Sequence, residues 1–91
     1  MSGPQRESGE NRIKRLKMRS MRRGIKEMDL ILSRFAEAQL SAMDDPALAI
    51  YDALLNENDH DLYQWVTGQS PAPAAFRPLI KDIAQAINKT P

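Results

Sequence analysis

The chain has 91 residues, 42% hydrophobic and 27% charged, with one histidine and no cysteine. That is room for about one domain; it excludes disulfides and Cys- or His-rich metal centres, and leaves no space for an enzyme with its own cofactor domain. The net charge of +1 hides a split: residues 1–27 carry nine Lys/Arg against three Glu, and residues 28–91 carry four against nine Asp/Glu.

Residues 1–9 are polar, contain Pro and two Gly, and read as a disordered leader before a single helical domain over 10–90. They have no secretory h-region and no long Arg/Ser-rich transit character, which predicts a protein of the reducing cytoplasm. No apolar run approaches the roughly 18 residues of a membrane span.

The first helix is predicted over about 10–20. Ile13, Leu16 and Ser20 or Met21 form a thin apolar stripe, and Arg12, Arg15, Arg19 and Arg22 fall on another face. Gly24 then breaks or bends the chain. The second helix is expected over about 24–42, with Ile25, Met28, Leu32, Phe35, Ala36, Leu40 and Met43 at helical spacing. The third starts at Asp44-Asp45-Pro46, an N-cap followed by a preorganised first turn. Ala47, Ile50, Tyr51, Leu54 and Leu55 make its stripe. Asp59 is the expected cap of a short fourth helix over 60–67, with Leu62, Trp65 and Val66 facing inward and Gly68 as a left-handed stop. A loop with Pro71 and Pro73 leads to the last helix, about 75–88, striped by Phe76, Leu79, Ile80, Ile83, Ala84 and Ile87. Pro78 must lie in its first turn. No segment alternates with period two. The predicted fold is all-α, a bundle of about five short helices.

No catalytic constellation is present. His60 sits in a predicted turn between Asp59 and Asp61 and reads as a solvated helix-start residue. There is no glycine-rich phosphate loop, and the carboxylates are too scattered for a metal site. The Arg-rich first helix fits either phosphate binding, a solvated face or a docking surface. Arg23 and Glu27, four apart, fit a surface pair along the second helix or a recognition patch that brackets Gly24. The order is unfavourable for the pair, since Glu before Arg is the better arrangement. Glycine here permits a sharp turn or a close approach by another backbone.

Arg23-Gly24-x-x-Glu27 resembles the RGxxE motif of the SdhE-type flavoprotein assembly factors. The likeness extends through Arg22 to Leu32, Phe35-Ala36, Tyr51 to Glu57, Asp59-His60-Asp61-Leu62-Tyr63-Gln64-Trp65 and Ser70 to Pro73, or roughly residues 12–88. Many members carry aromatics just before RRG, where this chain has Met18 and Met21. The resemblance implies a five-helix chaperone, not an enzyme. Its partner would be the flavoprotein subunit of succinate dehydrogenase, and in some bacteria fumarate reductase, to which it promotes covalent attachment of FAD. The reacting histidine belongs to that partner, so no cofactor is expected to be held stably by this chain. The implied partner-binding residues are Arg22, Arg23, Gly24, Glu27 and Asp29, with secondary contacts from Arg19, Asp59 and Asp61. Trp65 is expected in the core. The short leader resembles bacterial members, and a monomer without nucleic-acid binding or membrane insertion is expected. The competing readings are a small nucleic-acid-binding regulator and an antitoxin-type module, both using the basic first helix.

Overall fold

The computed structural model describes residues 9–21 and 23–88. Five α-helices follow one another: α1 (Gly9–Arg19), α2 (Lys26–Gln39), α3 (Asp45–Leu54), α4 (Asp59–Val66) and α5 (Arg77–Asn88). Short 3-10 turns, Leu40–Ala42 and Ala74–Phe76, continue α2 and precede α5. The described residues contain no strand.

Local chemistry sets the boundaries. Glu10 lies in the first turn of α1, and Lys17 and Arg19 lie in its last, each sign opposite to the helix end it occupies. Just past α1, Ser20 turns its hydroxyl back to the Leu16 carbonyl at 2.7 Å. Asp44 caps α3 by accepting from Ala47 N–H at 2.9 Å, with Pro46 in the first turn. Gly68, at φ +84°, ends α4 in the left-handed region that glycine adopts without strain. Pro78 stands second in α5, where its missing N–H removes no helical bond.

Helix α2 is the hub, packing against α1, α4 and α5. Its Met28, Leu32, Phe35 and Ala36 are buried with Leu16 of α1, Tyr51 and Leu54 of α3, Leu62 of α4 and Ile83 of α5. Phe35 and Tyr51 meet tilted, ring centroids 5.8 Å apart. Ser20 is a fully buried polar residue, and its hydroxyl meets the Tyr51 hydroxyl at 2.6 Å.

Several expectations need correction. Helix α2 starts at Lys26, not 24, so Gly24 lies in the bend before it. Ile50 and Ile87 sit on predicted stripes yet are exposed, and on α3 Leu48 is buried in place of Ile50. Helices this short expose the margins of a wide stripe once the neighbours have packed on its centre. Trp65 is half-buried at the core's edge, with its ring 6.1 Å from that of Phe76. Asn58, not Asp59, caps α4 by accepting from His60 N–H at 2.7 Å.

Candidate docking site around Gly24

The basic face of α1 is neither bare nor solvated throughout. Arg15 donates to Asp52 Oδ2 of α3 at 3.2 Å, and Arg19 pairs with Oδ1 of the same carboxylate. Arg19 also donates to the Asn56 side chain at 2.6 Å. Lys17 reaches Glu37 of α2 at 3.3 Å, and Arg12 lies 3.8 Å from Asp45. Burial alone would raise the Asp52 pKa, but the Arg15 hydrogen bond and the charges of Arg15 and Arg19 outweigh it and hold the carboxyl below its usual range. Much of the basic segment thus serves the acidic body of the same chain.

Arg23 continues this pattern at the α1–α2 bend. Its Nε donates to Asp59 Oδ1 at 2.8 Å, and Nη2 lies 2.7 Å from the same oxygen. Nη1 donates to the carbonyls of Leu55 and Arg19, and Nη2 to that of Glu57. Four of the guanidinium's five N–H donors make these hydrogen bonds, and Nη2 also stands within ion-pair distance of Asp59. The group sits where α3 ends and α4 begins. The end of α3 offers unpaired carbonyls and a partial negative charge, while the start of α4 favours the Asp59 carboxylate. Both side chains are largely buried, 13% and 15% exposed.

Gly24 is held by the same carboxylate, its N–H donating to Asp59 Oδ2. A Cβ at position 24 would lie 3.1 Å from that oxygen. The close approach that a glycine permits is therefore made here by a side chain of this chain. The surface pair of Arg23 with Glu27, one of the two readings of these residues, does not form, because Arg23 precedes α2 and turns to Asp59 instead.

The remaining predicted residues divide. Glu27, in the first turn of α2, is exposed and has no hydrogen-bond or ion-pair partner among the described residues. Asp29 is half-buried and accepts from Ser33 Oγ at 3.2 Å. Asp61 and His60 are exposed. Arg22 lies outside the described residues. Met18 and Met21 are 70% and 45% exposed, so they do not fill core space beside the motif. Beyond Glu27, Leu30 of α2 and Ile87 of α5 are also exposed, at 53% and 38%. Glu27, Leu30, Ile31, Tyr63 and Ile87 line one surface groove. Among the described residues there is no group of His, Cys, Asp and Glu suited to a metal.

The chain has relatives. Residues 14–87 match the family model described as flavinator of succinate dehydrogenase. The chain belongs to that family. It is 42% identical over 74 residues to succinate dehydrogenase assembly factor 2, mitochondrial, of Drosophila grimshawi, covering 79% of this chain and 50% of that one. The Candida glabrata protein of the same name is 46% identical over 74 residues, 78% and 48% of the two chains. That of Danio rerio is 37% identical over 78 residues, 84% and 49%. The chain spans about half the length of the curated relatives it matches.

Two consequences follow for this flavinator-family chain. The expected bacterial cytoplasmic location is overturned, since these relatives are eukaryotic and named mitochondrial. The leader that suggested it precedes residue 14, outside the family match. The role of Asp59 inside the RG half of the motif was not read from the sequence. The signal available was an aspartate at a helix start, the commonest place for one, and nothing local pointed across 36 residues to Arg23.

Proposed function

We propose that this chain is an assembly factor that binds the flavoprotein subunit of succinate dehydrogenase and promotes covalent attachment of FAD to it. The observation that carries this reading is the family match over 14–87, which takes in residues 23–27 and all five helices except the start of α1 and the last residue of α5. In this reading the factor is not an enzyme. It contributes positioning, and both reacting groups, the flavin and a histidine, sit on the partner. FAD is held by the partner rather than stably by this chain, which acts as a monomer. The docking face is the exposed start of α2, with Glu27 as the charged group free to make a charge-assisted hydrogen bond to the partner.

Charge pairing on α1 counts against the nucleic-acid reading. Arg12, Arg15, Lys17 and Arg19 each have a carboxylate of this chain nearby, whereas phosphate binding needs cations free to replace counterions. A gel shift at low salt separates the two readings. The test of the proposal is complex formation between the purified chain and the flavoprotein subunit. A stable complex with the subunit and no shift of DNA or RNA is expected; a shift without a complex would reverse the assignment.

A further inference from the structure

Resting on the proposed docking role, we propose that Asp59 is a positioning residue for the RGxxE segment, and that Arg23 and Gly24 act through it rather than on the partner. One carboxylate takes the Arg23 guanidinium on Oδ1 and the Gly24 N–H on Oδ2. The other Arg23 hydrogen bonds end on the carbonyls of Arg19, Leu55 and Glu57. Four of the five Arg23 donors are thereby used within the chain, and Nη2 also lies within ion-pair distance of Asp59. The arginine is also mostly covered, at 13% exposure.

Three parts of the chain meet at this point: the end of α1, the α3–α4 corner and the start of α2. Ile25 caps α2 without any side-chain hydrogen bond, so no side-chain cap of its own fixes the first turn of α2. The Asp59 clamp on residues 23 and 24 supplies that fixing two residues upstream. It sets where Glu27 emerges relative to α4. The motif then divides into two parts, an inward clamp of Arg23 and Gly24 and an outward reader, Glu27. An aspartate of the DxDL segment belongs functionally with the motif although it lies 35 residues further on.

The experiment uses the full chain and the purified flavoprotein subunit of succinate dehydrogenase. Asp59→Asn, Arg23→Gln, the double variant and Glu27→Gln are compared for dissociation constant, at a temperature where circular dichroism melts show each folded. Asp59→Asn and Arg23→Gln should each weaken binding by about tenfold or more, the loss expected when a largely buried charge is left without its partner. The double variant should be no more than about twofold worse than the weaker single, because both remove one unit. The Gly24 amide proton should move upfield in Asp59→Asn. Wild-type binding by Asp59→Asn alongside a loss in Arg23→Gln would overturn the proposal. So would losses that multiply in the double variant.

A measurement on the unaltered chain covers the case of variants that do not fold. The Arg23 Nε–H and Gly24 N–H resonances should hold their positions when the flavoprotein subunit is added, while Glu27 signals shift. Movement of the Arg23 resonance with Glu27 unmoved would place the arginine on the partner and refute the clamp. Failure of the wild-type chain to bind the subunit would refute the proposed function instead; the clamp would still be read from the free protein's Gly24 and Arg23 signals.

Discussion

Arg23 and Asp59, 36 residues apart, form a 2.7 Å ion pair that joins the bend before α2 to the first residue of α4. Its surroundings explain why an arginine and a glycine stand together. The guanidinium also answers the unpaired carbonyls at the end of α3, and the glycine leaves room for the carboxylate to reach its N–H. Lysine would answer fewer of these acceptors, having three donors and no planar fork.

Substitution at Gly24 is predicted to act through Asp59. In Gly24→Ala the new Cβ meets Oδ2 at 3.1 Å, so the carboxylate must give by a few tenths of an ångström. A loss of about 1 kcal/mol is expected, in the middle of the range for point substitutions, and a urea midpoint measures it. Gly24→Arg adds a second guanidinium beside a carboxylate already bound to Arg23. It should leave the helices intact by circular dichroism yet lower flavinylation more than Gly24→Ala does.

Asp52 is predicted to be the main tie between α1 and α3, since Arg15 and Arg19 both end on it. Asp52→Asn should lower the urea midpoint by an amount equivalent to about 1 kcal/mol, as a partly exposed carboxylate with two cations is worth more than a single surface pair. The pH dependence has a definite sign. The folded carboxyl lies below its usual value, so its contribution is present above about pH 4 and is lost as pH falls through the folded value. An acid titration of wild type against Asp52→Asn reads the difference.

How much of this was legible in the sequence depends on range. Periodicity located all five helices because each buries one stripe, and Asp44-Asp45-Pro46 and Gly68 marked ends by local rules. The bend at Gly24 was legible as well. Its internal partner was not, because side-chain pairing between residues 23 and 59 leaves no trace in spacing along the chain. The same holds for the charge split of the first 27 residues. Composition shows a basic segment and an acidic body, and only the folded packing brings Arg15 and Arg19 onto Asp52.

Tyr51 is predicted to govern the alkaline limit. Burial pushes its phenol up to about 12, against smaller opposing effects of the Ser20 hydrogen bond and the Arg23 charge. A raised folded value means stability that is complete below the unfolded value near pH 10 and is lost between about pH 10 and 12, roughly 3 kcal/mol in all. Tyr51→Phe removes this loss along with the hydroxyl contact to Ser20. It should cost about 1 kcal/mol at neutral pH, and urea unfolding across the alkaline range checks both effects.

Gly68→Ala tests the other end of α4 from Asp59. At φ +84° a side chain is strained whatever the space around it, and the expected cost is about 1 kcal/mol. Thermal melts should register the loss, while binding to the flavoprotein subunit stays at the wild-type level.

The most direct test of the account is covalent flavin on the purified succinate dehydrogenase flavoprotein subunit, read by fluorescence on a denaturing gel after incubation with FAD. Adding the chain should raise the covalent signal, and adding folded Glu27→Ala should leave it near the level without the factor. Equal flavin with and without the wild-type chain would contradict the account.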